Sequence, residues 1–227
     1  MRRVPGAAAT IVVDVWSDIA CPWCYIGKRN LESAIAAFRE RHAGVEVAVT
    51  YHSFELSPDT PVDFDGSEAD FLAGRLGLGR DEVDAMHERV AGIAAGAGLE
   101  YHFDRVRHTN TRRAHELLHH AAAAGRQAEA KERLMRAYFT EGRHLGREDV
   151  LADVATEAGL DREAALRSLR AGEHAPAVEA DVQLAHRFGI SGVPYFVLDR
   201  RYGVSGAQAP EVLAEALERA LQAQAAG

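Results

Sequence analysis

The only two thiols of this chain lie in one tetrapeptide, Cys21-Pro22-Trp23-Cys24. Such a pair can close a small disulfide ring, ligate a metal or do neither, and the flanking sequence decides between these. Ile11-Val12-Val13-Asp14-Val15-Trp16 precedes it, apolar and β-branched, as expected of a buried strand. Tyr25 to Glu40 follows, with Leu31, Ala34, Ile35 and Phe38 at helical spacing. The pair therefore lies where a strand hands over to a helix. With Cys21 as N-cap, Pro22 falls at N1, where its missing N–H costs nothing. The N–H groups of Trp23 and Cys24 then point back towards the Cys21 sulfur, and the helix dipole adds to their effect. Both predict a Cys21 thiolate formed below the free-thiol value of about 8.5. Cys24, one turn in and more shielded, is placed to resolve a mixed disulfide formed at Cys21. A closed zinc site needs four ligands, and no second C-x-x-C exists, so no metal is expected at these cysteines.

The chain has 227 residues, 47% of them hydrophobic and 26% charged, as in ordinary globular domains. With 34 acidic and 26 basic side chains the net charge is −8, which argues against a nucleic-acid surface. No apolar run approaches the roughly 20 residues of a membrane span. Met1-Arg2-Arg3 imitates the start of a signal peptide, but Asp14 interrupts the apolar stretch that follows. A cytoplasmic location is the expectation, and there paired cysteines are more often catalytic than structural.

The first helix is expected to end near Arg41-His42-Ala43, with Gly44 at C′. Val45 to Tyr51 alternates as a strand, completing β-α-β. Asp59 to Gly66 reads as a loop. From Ser67 to Gly172 the pattern is helical: Asp81 to Gly96 with Val83, Met86, Val90 and Ile93 on one face, then Thr111 to Ala124, Arg126 to Glu141, Asp149 to Ala158 and Arg162 to Leu169. Ala175 to Phe188 is another helix, Tyr195 to Leu198 a short strand, Tyr202 to Ser205 its hairpin partner, and Pro210 to Ala223 a closing helix. The expected organisation is an α/β chain in three pieces. Residues 1–64 and 174–227 form one domain, and residues 65–173 an all-helical insertion within it.

This order, β-α-β then α-β-β-α around the dithiol, with Val193-Pro194 just before a strand, resembles the thioredoxin superfamily and within it the DsbA-like group that carries a helical insertion. The FrnE-type branch is the nearer likeness. It rests on Ser17 to Lys28, Gly98-Leu99-Glu100-Tyr101-His102-Phe103, Thr109-Asn110-Thr111 with Ala114-His115, Ile190 to Val197, and Gly206-Ala207-Gln208. The resemblance implies a thioredoxin-like domain with a large all-helical insertion and a cis Val193–Pro194 bond facing the dithiol. It also implies thiol–disulfide exchange, with Cys21, Cys24 and Pro194 as the working residues. Val193 would offer its backbone to an extended substrate segment, and Pro22, Trp23 and Asn110 would contact substrate. Thioredoxins carry Gly-Pro between the cysteines and strongly oxidising DsbA proteins Pro-His. Trp23 brings no positive charge, so a less oxidising couple is expected. No cofactor is implied, with glutathione allowed as co-substrate. The partner is a protein or small-molecule thiol or disulfide, and a homodimer is left open.

Two rival reactions are carried forward. A glutathione-dependent isomerase of aromatic or polyketide compounds, similar to 2-hydroxychromene-2-carboxylate isomerase, shares this fold but usually has serine in place of the first cysteine. A zinc hydrolase is suggested by His115-Glu116-Leu117-Leu118-His119, which matches H-E-x-x-H, with Glu141 as a third ligand. The longer form of that motif fails at Ala122 and Gly125. Trp16 and Asp18 can be groove or, respectively, core and loop. Lys28 is expected at the surface, and Tyr25 and Phe54 in the core.

Overall fold

The structure, a computed structural model, describes residues 9–226; the Met1-Arg2-Arg3 reading lies outside them. Strand β1 (Thr10–Ser17) alternates at first, burying Ile11, Val13 and Val15 on one face. Helix α1 (Pro22–Arg41) crosses over to β2 (Glu46–Ser53), which pairs parallel to β1 with Val13 opposite Val49. Six helices follow: α2 (Glu68–Leu76), α3 (Arg80–Gly96), α4 (Arg112–Ala123), α5 (Gln127–Phe139), α6 (Glu148–Glu157) and α7 (Arg162–Ala171). Helix α8 (Ala175–Arg187) leads back to β3 (Tyr195–Leu198), the β4 hairpin strand (Tyr202–Ser205) and α9 (Pro210–Ala226). The sheet order is β2-β1-β3-β4, with β3 antiparallel to β1.

Both faces of the sheet are covered. Ile11, Val13, Val15, Phe196 and Leu198 pack with Ile26, Leu31, Ile35 and Phe38 of α1 and Leu213 and Leu217 of α9. On the opposite face Trp16, Phe54 and Val197 meet Ala185 of α8 and Ile190. Trp16 is thus core; its ring stacks on His52 at 4.5 Å and its Nε1–H donates to the Asp181 carbonyl. Tyr25 is likewise core. Helix α4 is the hub of the helical layer, with Ala114, Leu117, Leu118 and Ala121 fully buried. Element boundaries match the sequence pattern within a few residues. Gly44 differs: the C-cap is His42, so Gly44 lies one place further on, at φ 90°. Among the described residues no helix is long and apolar enough to cross a membrane.

Candidate active site

Cys21 is the N-cap of α1, in extended backbone (φ −90°, ψ 111°), with Pro22 at N1. Both cysteines are free thiols and buried. The N-cap sulfur takes no capping hydrogen bond. Its S–H donates instead to the Val193 carbonyl at 3.6 Å, across the cis Val193–Pro194 bond. Close approach of α1 to this loop depends on Gly27. A Cβ there would lie 2.9 Å from Pro194 Cγ and 3.3 Å from Phe196 Cζ, closer than side chains pack.

The electrostatics reverse one expectation. Cys21 does not have a depressed pKa; it is raised well above the ordinary thiol value. Its hydrogen bond to Cys24 is the main cause, followed by burial and by repulsion from a Cys24 thiolate. The Cys24 N–H favours a Cys21 thiolate, as the helix N-terminus predicts, but is outweighed. Cys24 moves the other way. Burial opposes its ionisation, but the Cys21 S–H, the Lys131 ammonium, the Ser17 hydroxyl and the Asp18 N–H together lower its pKa. The two thiols titrate as a coupled pair, and their apparent values belong to the pair rather than to either sulfur.

Lys131 has no counterpart in the sequence reading. It projects from α5 into the interior, fully buried, and its Nζ has no hydrogen-bond partner among the described residues. The Nζ stands 5.8 Å from the centre of the Tyr51 ring. Burial brings its pKa down to about 8, against the attraction of Cys24, Asp18 and Cys21. A signal existed: Lys131 occupies the apolar face of α5 one turn before Leu134 and Met135. Asp18, also buried, is held by the Leu56 N–H at 2.8 Å and by His115 Nε2 at 3.3 Å. Burial opposes its ionisation, yet the His115 contact, the Leu56 N–H and Thr111 keep its pKa below the usual carboxylate value.

A cavity of about 250 Å³ opens at Cys21. Pro22 and Trp23 form its rim; Phe71, Leu72, Met86 and Val90 of α2 and α3 form an apolar wall. Polar groups converge at one side: Glu68 and His87, paired at 2.7 Å, with Arg75, Thr109 and Thr111. His108 also lines it, its pKa lowered by burial to about 4, so this imidazole is neutral at pH 7. Trp23 remains 39% exposed, and the Pro22 carbonyl accepts a hydrogen bond from the Tyr101 hydroxyl at 2.8 Å.

Several expected residues fall elsewhere. Asn110 does not line the cavity. Its amide donates to the Pro58 carbonyl and its oxygen accepts from the Arg112 N–H, so it braces the loop that presents Thr109 and Thr111. Val193 meets the Cys21 sulfur through its carbonyl, and neither Val193 nor Pro194 is part of the cavity lining. Lys28 is not at the surface: it is 4% exposed and paired with Glu32 and Glu132 at 2.6 Å each. Phe54 is core, as expected, and Asp18 belongs to the site. The H-E-x-x-H histidines do not share a ligand position. His115 turns to Asp18, while His119 Nε2 binds Asp181 at 3.0 Å and Ser53 Oγ at 3.1 Å. Glu116 is paired with Arg113, and Glu141 with Arg133 and Arg136. The zinc-hydrolase reading is thereby corrected: each residue of the short motif already serves a separate structural contact.

The structure is similar to that of a probable DsbA oxidoreductase, SCO1869, from Streptomyces coelicolor. Identity is 39%, coverage 93% of this chain and 90% of that one, and the TM-score 0.86. Two more distant structures share the fold. The cytosolic disulfide reductase DsbM of Pseudomonas aeruginosa is 21% identical, with a TM-score of 0.65 and coverage of 93% and 98%. A 2-hydroxychromene-2-carboxylate isomerase is 18% identical, with a TM-score of 0.69 and coverage of 94% and 98%. The dithiol at a helix N-terminus beside a cis-proline, on a sheet ordered β2-β1-β3-β4, agrees with the family model that matches residues 12–218: this chain belongs to the DSBA-like thioredoxin domain family.

Proposed function

We propose that this protein is a thiol–disulfide oxidoreductase in which Cys21 attacks and Cys24 resolves. The observation that carries this reading is the buried Cys21–Cys24 pair at the start of α1, with Cys21 alone of the two lining the cavity. Attack requires the Cys21 thiol to lose its proton, with the buried Cys24 beside it as the coupled partner. The Cys21 thiolate then displaces one sulfur of a substrate disulfide, giving a mixed disulfide and a leaving thiolate. Cys24, deprotonated in turn, attacks the Cys21 sulfur, releases the second substrate thiol and closes the Cys21–Cys24 disulfide. Two electrons pass from the dithiol to the substrate. The Lys131 ammonium stabilises the Cys24 thiolate for that second step, and Val193 and Pro194 position the substrate segment on the opposite side of Cys21.

Trp23 brings no positive charge to the Cys21 thiolate, which fits a couple less oxidising than the roughly −120 mV of DsbA. Disulfide reduction suits a reducing compartment such as the cytoplasm. The likeness to the FrnE-type branch belongs to the same proposal. The test is turnover of insulin disulfides by wild type and Cys21→Ser, with the equilibrium against glutathione measured alongside. Loss of turnover in Cys21→Ser and a potential well below that of DsbA are the expected results. A second reading, a glutathione-dependent small-molecule isomerase, draws on the apolar wall of the cavity. Wild type inert towards disulfides, yet active on an aromatic substrate with glutathione, would replace the first reading by the second.

A further inference from the structure

We propose that His120, Glu173 and His174 form a binding site for a divalent transition-metal ion, of which zinc is the type, at the junction where the helical segment returns to the sheet. His120 lies near the end of α4; Glu173 and His174 form the connection between α7 and α8, with His174 as the α8 N-cap. One ligand atom from each residue comes within 4.8 Å of the other two. Ligands around a tetrahedral zinc at about 2.0–2.2 Å stand roughly 3.4 Å apart. The remaining gap closes by rotamer adjustment of side chains that are exposed or half-buried. Two imidazoles and a carboxylate suit a borderline cation and leave one coordination position for water.

Seven of the eleven histidines are already engaged with carboxylates. His42, His52, His87, His102, His115, His119 and His144 each face a carboxylate within 4 Å. His120 and His174 instead approach each other, with ring centroids 5.8 Å apart, and the three residues form no ion pair among the described residues. His119, 6.5 Å from His174 by ring centroid, stays engaged with Asp181. Position 119 supplies the motif-like spacing in the sequence, whereas the adjacent position 120 supplies the ligand. A bound ion would tie α4 to the start of α8 and stabilise the junction by mass action.

The test titrates zinc chloride into the Cys21–Cys24 disulfide form, which removes the dithiol as a competing ligand, and follows binding by calorimetry. One zinc ion per chain with micromolar or tighter affinity is expected, with a zinc-dependent rise in melting temperature. His120→Ala and His174→Ala should each weaken binding about tenfold or more, since either removes one of three protein ligands. Glu173→Gln should weaken it less and tests the carboxylate without truncating a side chain. Cobalt chloride supplies a second readout, a visible absorption band that disappears in the His120→Ala/His174→Ala variant. Absence of saturable binding, or binding unchanged in that double variant, would overturn the assignment. So would binding that depends on His119 but not on His174.

Discussion

Two lysines are buried beside the dithiol, and they live in opposite surroundings. Lys28, one turn past Cys24 on α1, is held between Glu32 and Glu132 at 2.6 Å. Glu132 also takes Arg29 and the Tyr25 hydroxyl, so this cluster is neutralised on all sides. Lys131, the neighbour of Glu132 in sequence, points to the other side of α5 and has no partner among the described residues. The first lysine is cement between α1 and α5. The second carries a charge that the protein stabilises poorly, and this suits it to respond to a thiolate appearing nearby.

Substitution by methionine separates the two roles. The largest effect is expected in the pH dependence of stability. Burial takes the Lys131 pKa from 10.5 to about 8, so below pH 8 the folded state holds an ammonium it disfavours. Between the two values the unfolded chain binds more protons than the folded one, and stability rises with pH. The gain is roughly 3 kcal/mol over that window. Measured in the disulfide form, where the attraction of Cys24 and Cys21 is gone and the Lys131 pKa falls further, urea denaturation of wild type should show this rise beginning below pH 8, and Lys131→Met should lack it. A variant with the same slope as wild type would show that Lys131 does not titrate there.

The next effect is the loss of cement. Lys28→Met removes the buried partner of Glu132 and should cost about 2 kcal/mol, less than a fully buried pair because both carboxylates are partly exposed. Lys131→Met, which removes an unpartnered charge at similar volume, should be neutral or stabilising at pH 7. Equal losses in the two variants would erase the distinction between the lysines. The smallest effect is on the thiols themselves. Lys131→Met should move the first thiolate titration, read by ultraviolet absorbance, upward, while Lys28→Met leaves it in place.

How much of this was legible follows the range of the forces involved. The strand-to-helix turn, the N-cap at Cys21 and Pro22 at N1 depend on near neighbours in the chain, and the sequence showed them. The cis Val193–Pro194 bond came from family resemblance, because its partner lies more than 170 positions away. The Cys21 pKa went the wrong way since a helix N-terminus is a local effect, whereas coupling to Cys24, burial and the charge of Asp18 need the packed interior. Lys28 failed for a related reason: its partner Glu132 is set by how α1 and α5 meet. His115 and His119 matched a metal motif by spacing, but Asp18 and Asp181 claimed them individually.

The direct test of the division of labour between the two sulfurs is trapping with glutathione disulfide, read by intact mass. Cys24→Ser should accumulate one glutathione adduct on Cys21, stable because no second thiol can resolve it, and Cys21→Ser should accumulate little, since Cys24 does not line the cavity. Rapid adduct formation in Cys21→Ser, with Cys24→Ser inert, would show that Cys24 is the attacking sulfur and contradict the proposed roles.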